Sequence, residues 1–281
     1  MTFNFLEKTT MSSADINILW LYGMPRSGTT WISQIFASSP NVRLKLCPLF
    51  SYEFKNACDE LSTAQDWKEL FKTLYNTESE FLDQHHLRNE GLIPEFKLKD
   101  DNPEWLVIKS NRYHHLMPYL LAKVDTIQLV YIARNPCASL SSWFNDPKEF
   151  PKSAEPLDEW RGGNCRKNAI GEYWGFDDWV NVTQQAVELS AQYSERHSII
   201  RYEDFLSAPE QQTMALFSQL EIPYHHQIAD FIGQAQTKHN PDTHSVFRGQ
   251  LDREAWRSKL DEIIISTCYR ELEKTNLKRF L

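Results

Sequence analysis

Residues 19–31, Leu-Trp-Leu-Tyr-Gly-Met-Pro-Arg-Ser-Gly-Thr-Thr-Trp, run a short apolar strand into a glycine-bounded loop and then into a helix. That order constrains the fold more than any other part of the chain, because it is an arrangement that holds phosphate. Gly23 and Gly28 let the backbone curl until amide N–H groups converge, and a helix beginning near Gly28 aims its positive dipole end at the same point. The spacing Gly23-x4-Gly28 is that of a nucleotide phosphate loop, but Thr29 stands where a nucleoside-triphosphate enzyme carries its lysine. The cation sits inside the loop instead, at Arg26. A plain helix cap by Ser27 or Thr29 is the competing reading; two glycines, a proline and a cation together are more than a cap requires.

Short apolar runs bounded by polar residues predict strands at 16–22, 105–109, 127–133 and 198–202. Helices are expected at 28–38, 112–122, 136–144, 176–194 and 209–220. This alternation predicts an α/β fold: a central, mostly parallel sheet flanked by helices, in a phosphate-loop nucleotide-binding architecture that spans residues 1–281 as one domain. Such sheets bind ligands beyond the carboxyl ends of their strands. The residues leaving those ends are Gly23 to Arg26, Lys109 with Ser110, Arg134 with Asn135, and Tyr202 with Glu203 and Asp204. Loop donors, further cations and an aromatic ring therefore emerge at one rim, which suits an anionic adenine nucleotide.

The net charge of −8 opposes a nucleic-acid or anionic-membrane surface, so basic residues that serve an anionic ligand must be gathered locally. Arg26, Lys109, Arg134 and Arg248 are the candidates. Five scattered cysteines without C-x-x-C spacing suggest neither a disulfide framework nor zinc, and no metal site is expected. Residues 1–17 lack a basic region followed by an apolar one, and no apolar run reaches the roughly 20 residues of a membrane span, so a cytoplasmic enzyme is expected.

The segment from Pro25 to Trp31 resembles the 5′-phosphosulfate loop of sulfotransferases that use 3′-phosphoadenosine-5′-phosphosulfate (PAPS), and Arg26 resembles the loop cation of the protein-tyrosine and several carbohydrate members. The resemblance implies nucleotide contacts from Arg26, Ser27, Gly28, Thr29, Thr30 and Trp31. Arg134, followed eight residues later by Ser142, is similar to the pair that grips the 3′-phosphate, with Ser139 and Ser141 as nearby decoys. Tyr202-Glu203-Asp204 looks like the segment whose tyrosine lies near the adenine. Phe247-Arg248-Gly249, followed by Trp256-Arg257, is similar to the family's Arg-Lys-Gly loop with its later Trp-Lys, at imperfect spacing; Arg248 and Gly249 carry over as nucleotide contacts.

The resemblance implies sulfuryl transfer to a hydroxyl or amine of a small-molecule or carbohydrate acceptor, with PAPS as co-substrate and no metal. No nucleic-acid or membrane partner is expected, and a homodimer is left open. Charge growing on the departing phosphate oxygen needs fixed positive charge, and Arg26 and Lys109, with the loop amides, Thr29 and Thr30, are placed to supply it. The strand at 127–133 does not end in the acidic residue that holds magnesium in a nucleoside triphosphatase.

The family's Lys-Thr-His triplet reads Lys109-Ser110-Asn111 here, and Asn111 takes no proton at neutral pH. Candidate bases are therefore His114 or His115, by their unperturbed range, and Glu53, by resemblance to members with an Arg-type loop. Segments 47–88 and 145–179 are expected to frame the acceptor pocket, with Phe144, Phe150, Trp160, Trp174 and Trp179 serving there or as plain core. A phosphate-loop kinase or nucleotidase, and a non-catalytic adenosine-bisphosphate-binding protein, are the alternatives.

Overall fold

A computed structural model describes residues 16–249 and 252–281; residues 1–15, where a leader was sought, lie outside it. In chain order the elements are β1 (Asn17–Gly23), α1 (Thr29–Ala37), β2 (Val42–Leu46), α2 (Ala64–Asn76), α3 (His85–Asn89), β3 (Trp105–Ser110), α4 (Met117–Lys123), β4 (Gln128–Ala133) and α5 (Pro136–Phe144). They continue with α6 (Pro156–Glu159), α7 (Gly175–Gln192), β5 (His197–Arg201), α8 (Tyr202–Ser207), α9 (Pro209–Gln219), α10 (His226–Thr237) and α11 (Glu262–Leu272).

The strands form one five-stranded sheet in the order β2-β3-β1-β4-β5. Every pairing is parallel, with Leu21 opposite Lys109 and Gly23 opposite Ile132. All five carboxyl ends therefore reach the same rim, as the alternation of elements requires. β1 lies centrally and is buried on both faces, which explains its unbroken apolar run. Ile18, Trp20 and Tyr22 enter a core shared with α2, α4, α5, α7 and α11. Leu19 and Leu21 enter a second core with α1, α9 and α10. Trp20 meets Trp67 of α2 edge to face at 6.1 Å, both fully buried, a favoured aromatic geometry.

Two local differences from the sequence expectation have physical causes. β2 escapes the apolar-run test because Arg43 and Lys45 alternate with Val42, Leu44 and Leu46 on an edge strand, where Lys45 pairs with Asp83 at 2.7 Å. The helix expected at 112–122 begins only at Met117. Tyr113 takes φ 62°, a 3-10 turn covers His114–Leu116, and Pro118 then occupies the first turn of α4, where its missing N–H is tolerated.

Candidate active site

The loop between β1 and α1 leaves a helix terminus without a cap. Gly28 precedes α1 at φ 84°, and among the described residues no side chain caps the first turn. The two residues suited to capping are engaged elsewhere. The Ser27 hydroxyl donates to the Met24 carbonyl at 2.6 Å, and the Thr29 hydroxyl donates to Asn111 Oδ1 at 3.0 Å. The orphan N–H groups of the α1 N-terminus therefore remain available to an anion, with the helix dipole behind them. A side chain at Gly28 would place its Cβ 2.1 Å from the Tyr202 ring, so this glycine is needed for space as well as for its backbone angle. Gly23 is needed for space: its Cβ would lie 2.7 Å from Ser27 Oγ and 2.8 Å from the Ile132 carbonyl.

Around this loop lies a cavity of about 520 Å³, lined at the strand rim by Gly28, Thr29, Thr30, Trp31, Lys109, Arg134, Ser142 and Tyr202. The segment that follows α10 closes it with Thr243, His244, Arg248 and Gly249. A smaller recess of about 180 Å³ continues past Arg134, Ser142 and Arg248 to Trp256. Arg248 is fixed there by donating from Nη1 to the Asp242 carbonyl at 2.9 Å, and Gly249 takes φ 64°.

The cations are held in different ways. Lys109, at the end of β3, is 7 % exposed, and among the described residues its ammonium has no hydrogen-bond or ion-pair partner. Burial pushes its ammonium below the ordinary lysine range, partly opposed by Cys47 and Glu149. Arg134 is half-buried; desolvation lowers its range against the pull of Tyr202 and Glu203, and its guanidinium lies 4.8 Å from the Tyr202 ring centre. Arg26 is already engaged. Its Nη1 pairs with Asp146 at 2.9 Å and with Glu149 at 3.3 Å, Nη2 donates to the Thr243 carbonyl at 3.2 Å, and Nε donates to Ser142 Oγ at 3.2 Å. Arg26 carries φ 66° to turn its side chain this way. Lys109, Arg134, Arg248 and Arg253 thus line the cavity without a carboxylate partner among the described residues, while Arg26 is shared with two carboxylates.

The model of the sulfotransferase family designated Sulfotransfer_3 matches residues 19–226. The chain belongs to the sulfotransferase family. No curated protein matches this sulfotransferase. Mouse sulfotransferase SULT7A1 complexed with PAP has a similar solved structure at 15 % identity and TM-score 0.56, over 97 % of this chain and 92 % of that one. The sulfotransferase domain of the Synechococcus PCC 7002 olefin synthase is similar at 12 % identity and TM-score 0.50, over 93 % and 96 % of the two chains. At these identities the likeness establishes the shared fold.

Of the residues singled out in the sequence, those at the rim come together and the candidate bases do not. Arg26, Gly28, Thr29, Thr30, Trp31, Lys109, Arg134, Ser142, Tyr202, Arg248 and Gly249 all line the cavity. Ser27 is buried beneath the loop and shapes it. Glu53 is exposed and is not among the lining residues; hydrogen bonds from Ser79 and its own amide hold its carboxyl below the usual range. His114 is fully buried between Tyr22 and Tyr173, and burial pushes its imidazole down to about 3. His115 turns toward Tyr173, whose hydroxyl lies 2.9 Å from Nδ1, and toward Glu60 at 3.4 Å. Asn111, at the position of the missing histidine, reaches the rim and holds Thr29.

The aromatic residues weighed as acceptor contacts pack into the core. Phe150, Trp160, Trp174 and Trp179 are buried, and Phe144 packs against them. From segments 47–88 and 145–179, only Glu149 lines the cavity. Asp146 and His244 went unread, because nothing in a linear pattern joins residues almost a hundred positions apart.

Proposed function

We propose that this sulfotransferase uses PAPS and transfers its sulfuryl group to a hydroxyl or amine of a small-molecule or carbohydrate acceptor. The observation that carries the reading is Lys109: a nearly buried lysine whose ammonium, without a partner among the described residues, faces the cavity beside an uncapped helix N-terminus is a costly arrangement in a folded protein unless an anion completes it. In this reading Lys109, the α1 amides, Thr29 and Thr30 receive the 5′-phosphosulfate, and Arg26 exchanges part of its carboxylate pairing for phosphate. Arg134, Ser142 and Arg248 take the 3′-phosphate, and Gly249 lets the backbone turn beside them. Tyr202 and Trp31, edge to face at 6.0 Å, flank the adenine.

Transfer is an in-line displacement. The acceptor atom bonds to sulfur from the side opposite the phosphate, the bond from sulfur to the bridging oxygen breaks, and the electron pair stays on that oxygen. Lys109 and the helix terminus meet the charge that grows there, a contribution larger in the transition state than in the ground state. Five free cysteines, four of them buried, fit the cytoplasmic setting of this reading.

The test is thermal stability with nucleotides and without added metal. Adenosine 3′,5′-bisphosphate (PAP) raises the melting temperature well beyond AMP or ATP. Equal stabilisation by AMP removes the 3′-phosphate site, and preference for ATP with magnesium returns the kinase reading.

A further inference from the structure

Sulfuryl transfer to a hydroxyl or amine releases a proton, and the candidate bases read from the sequence do not line the cavity. Asp146 supplies the starting point, because its carboxylate is fully buried and surrounded by donors. Oδ1 accepts from the Lys148 amide at 2.9 Å, and Oδ2 accepts from the Thr243 hydroxyl at 2.9 Å and pairs with Arg26 Nη1 at 2.9 Å. The remaining neighbour is His244, whose Nε2 lies 3.2 Å from Oδ2, buried and off the line of a well-formed hydrogen bond. Its side chain is 30 % exposed and lines the same cavity as Lys109, Glu149 and Asn111.

The backbone around His244 is fixed from three directions. The His244 amide donates to Asp242 Oδ1 at 2.8 Å, the Thr243 carbonyl accepts from Arg26 at 3.2 Å, and the Val246 amide donates to the Leu92 carbonyl at 2.9 Å. A carboxylate at Nε2 favours the tautomer with the proton on that nitrogen, which leaves the lone pair on Nδ1 free. Glu149, the other basic group in the cavity, has its carboxylate engaged by Arg26 at 3.3 Å.

We propose that His244 is the base that takes the acceptor's proton, with Asp146 as the residue that positions it. This rests on the PAPS reading of the cavity. As the acceptor oxygen or nitrogen bonds to sulfur, its proton passes to His244 Nδ1. The bond from sulfur to the bridging phosphate oxygen breaks with its electron pair on that oxygen, and the proton later leaves His244 to water. The imidazole comes from the segment after α10 and lines the cavity together with Lys109 of β3.

The experiment compares the native protein with His244→Gln, using PAP as the binding probe and radiolabelled PAPS for turnover, with water and then a screened acceptor as the receiving group. PAP stabilises both proteins equally, and the His244 ring resonances, identified by their loss in the variant, move when PAP is added. Sulfuryl transfer by His244→Gln falls by about 10² or more, the usual range for loss of a general base. Asp146→Asn slows the native protein but adds little to His244→Gln, since it acts through that ring. A PAP-induced rise in melting temperature with the His244 resonances unmoved, or native-rate transfer by His244→Gln, overturns the assignment. An equal Asp146→Asn loss in both backgrounds assigns Asp146 to Arg26 alone. Failure of PAP to stabilise the native protein removes the PAPS reading itself, a result distinct from any of these.

Discussion

Arg134 donates from Nη1 to the main-chain carbonyl of Arg26 at 2.6 Å, so the arginine that follows β4 braces the apex of the loop that follows β1. The same guanidinium lies over the Tyr202 ring, and that ring fills the space a Gly28 side chain would need. Arg26, Gly28, Arg134 and Tyr202 therefore behave as one unit. The end of the cavity assigned to the 5′-phosphosulfate and the end assigned to the 3′-phosphate are joined through main chain and ring packing.

Gly28→Ala tests that unit. An alanine at φ 84° is strained, and its Cβ drives into the Tyr202 ring. Loss of about 1–3 kcal/mol of stability is expected from the backbone alone, together with loss of PAP binding as the ring is pushed from its place. Urea unfolding and PAP thermal shifts measure the two effects. A variant that keeps native stability and PAP affinity shows that the loop and ring are not coupled.

Ser142→Ala tests the reading of the 3′-phosphate. The Ser142 hydroxyl, which accepts from Arg26 Nε in the free protein, is proposed to bind that phosphate. A hydrogen bond to a charged group contributes about 1.5–3 kcal/mol, so PAP affinity is expected to fall tenfold or more. Adenosine 5′-phosphosulfate, which has no 3′-phosphate, should bind as it does to the native protein. Calorimetric titration of both ligands gives the comparison, and an equal loss for both places Ser142 in the support of Arg26 instead.

How far the site was legible follows from how each part is encoded. The phosphate loop is local, so its two glycines and its cation stand within a few residues of one another. The rim was legible because parallel strands place their carboxyl ends together, which brings Lys109 and Arg134 to the loop once the alternation of elements is recognised. The engagement of Arg26 was hidden: its partners Asp146 and Glu149 follow α5, and only packing brings that turn over the loop. His114 failed as a candidate for a similar reason. A residue four places beyond a strand looks close to the rim, but the left-handed turn at Tyr113 sends its ring into the core.

Lys109→Met separates binding from folding by producing effects of opposite sign. Removing a buried ammonium that has no protein partner should raise the melting temperature of the free protein, since the desolvation that lowers the lysine's range also penalises the folded state. The same change should weaken PAP binding and lower kcat by about 10² or more, because the lost charge is the one proposed to meet the leaving oxygen. A lower melting temperature without ligand would reveal a stabilising partner for Lys109 and remove its place in the argument.

Acid sensitivity gives the last test. His197 accepts at Nε2 from, or donates to, the Tyr22 hydroxyl at 2.7 Å, and its ring, like that of His114, is buried. Burial pushes His114 down to about 3 and His197 down to about 4, and lowers His115 as well. Each ring therefore stays neutral in the folded protein at pH values where the unfolded chain, with histidines near their ordinary 6.5, takes up protons. The unfolded state binds more protons throughout that window, so unfolding free energy rises with pH and stability is lost as pH falls from about 6.5 toward 4. Each fully neutral ring contributes a slope on the order of 1 kcal/mol per pH unit once the unfolded histidine is protonated. Urea unfolding at intervals from pH 7.5 to 5 reads the slope, and His197→Gln, which keeps a polar group for Tyr22, should reduce it. A flat profile across that range, or an unchanged slope in His197→Gln, would show that these rings take up protons in the folded protein as readily as in the unfolded chain.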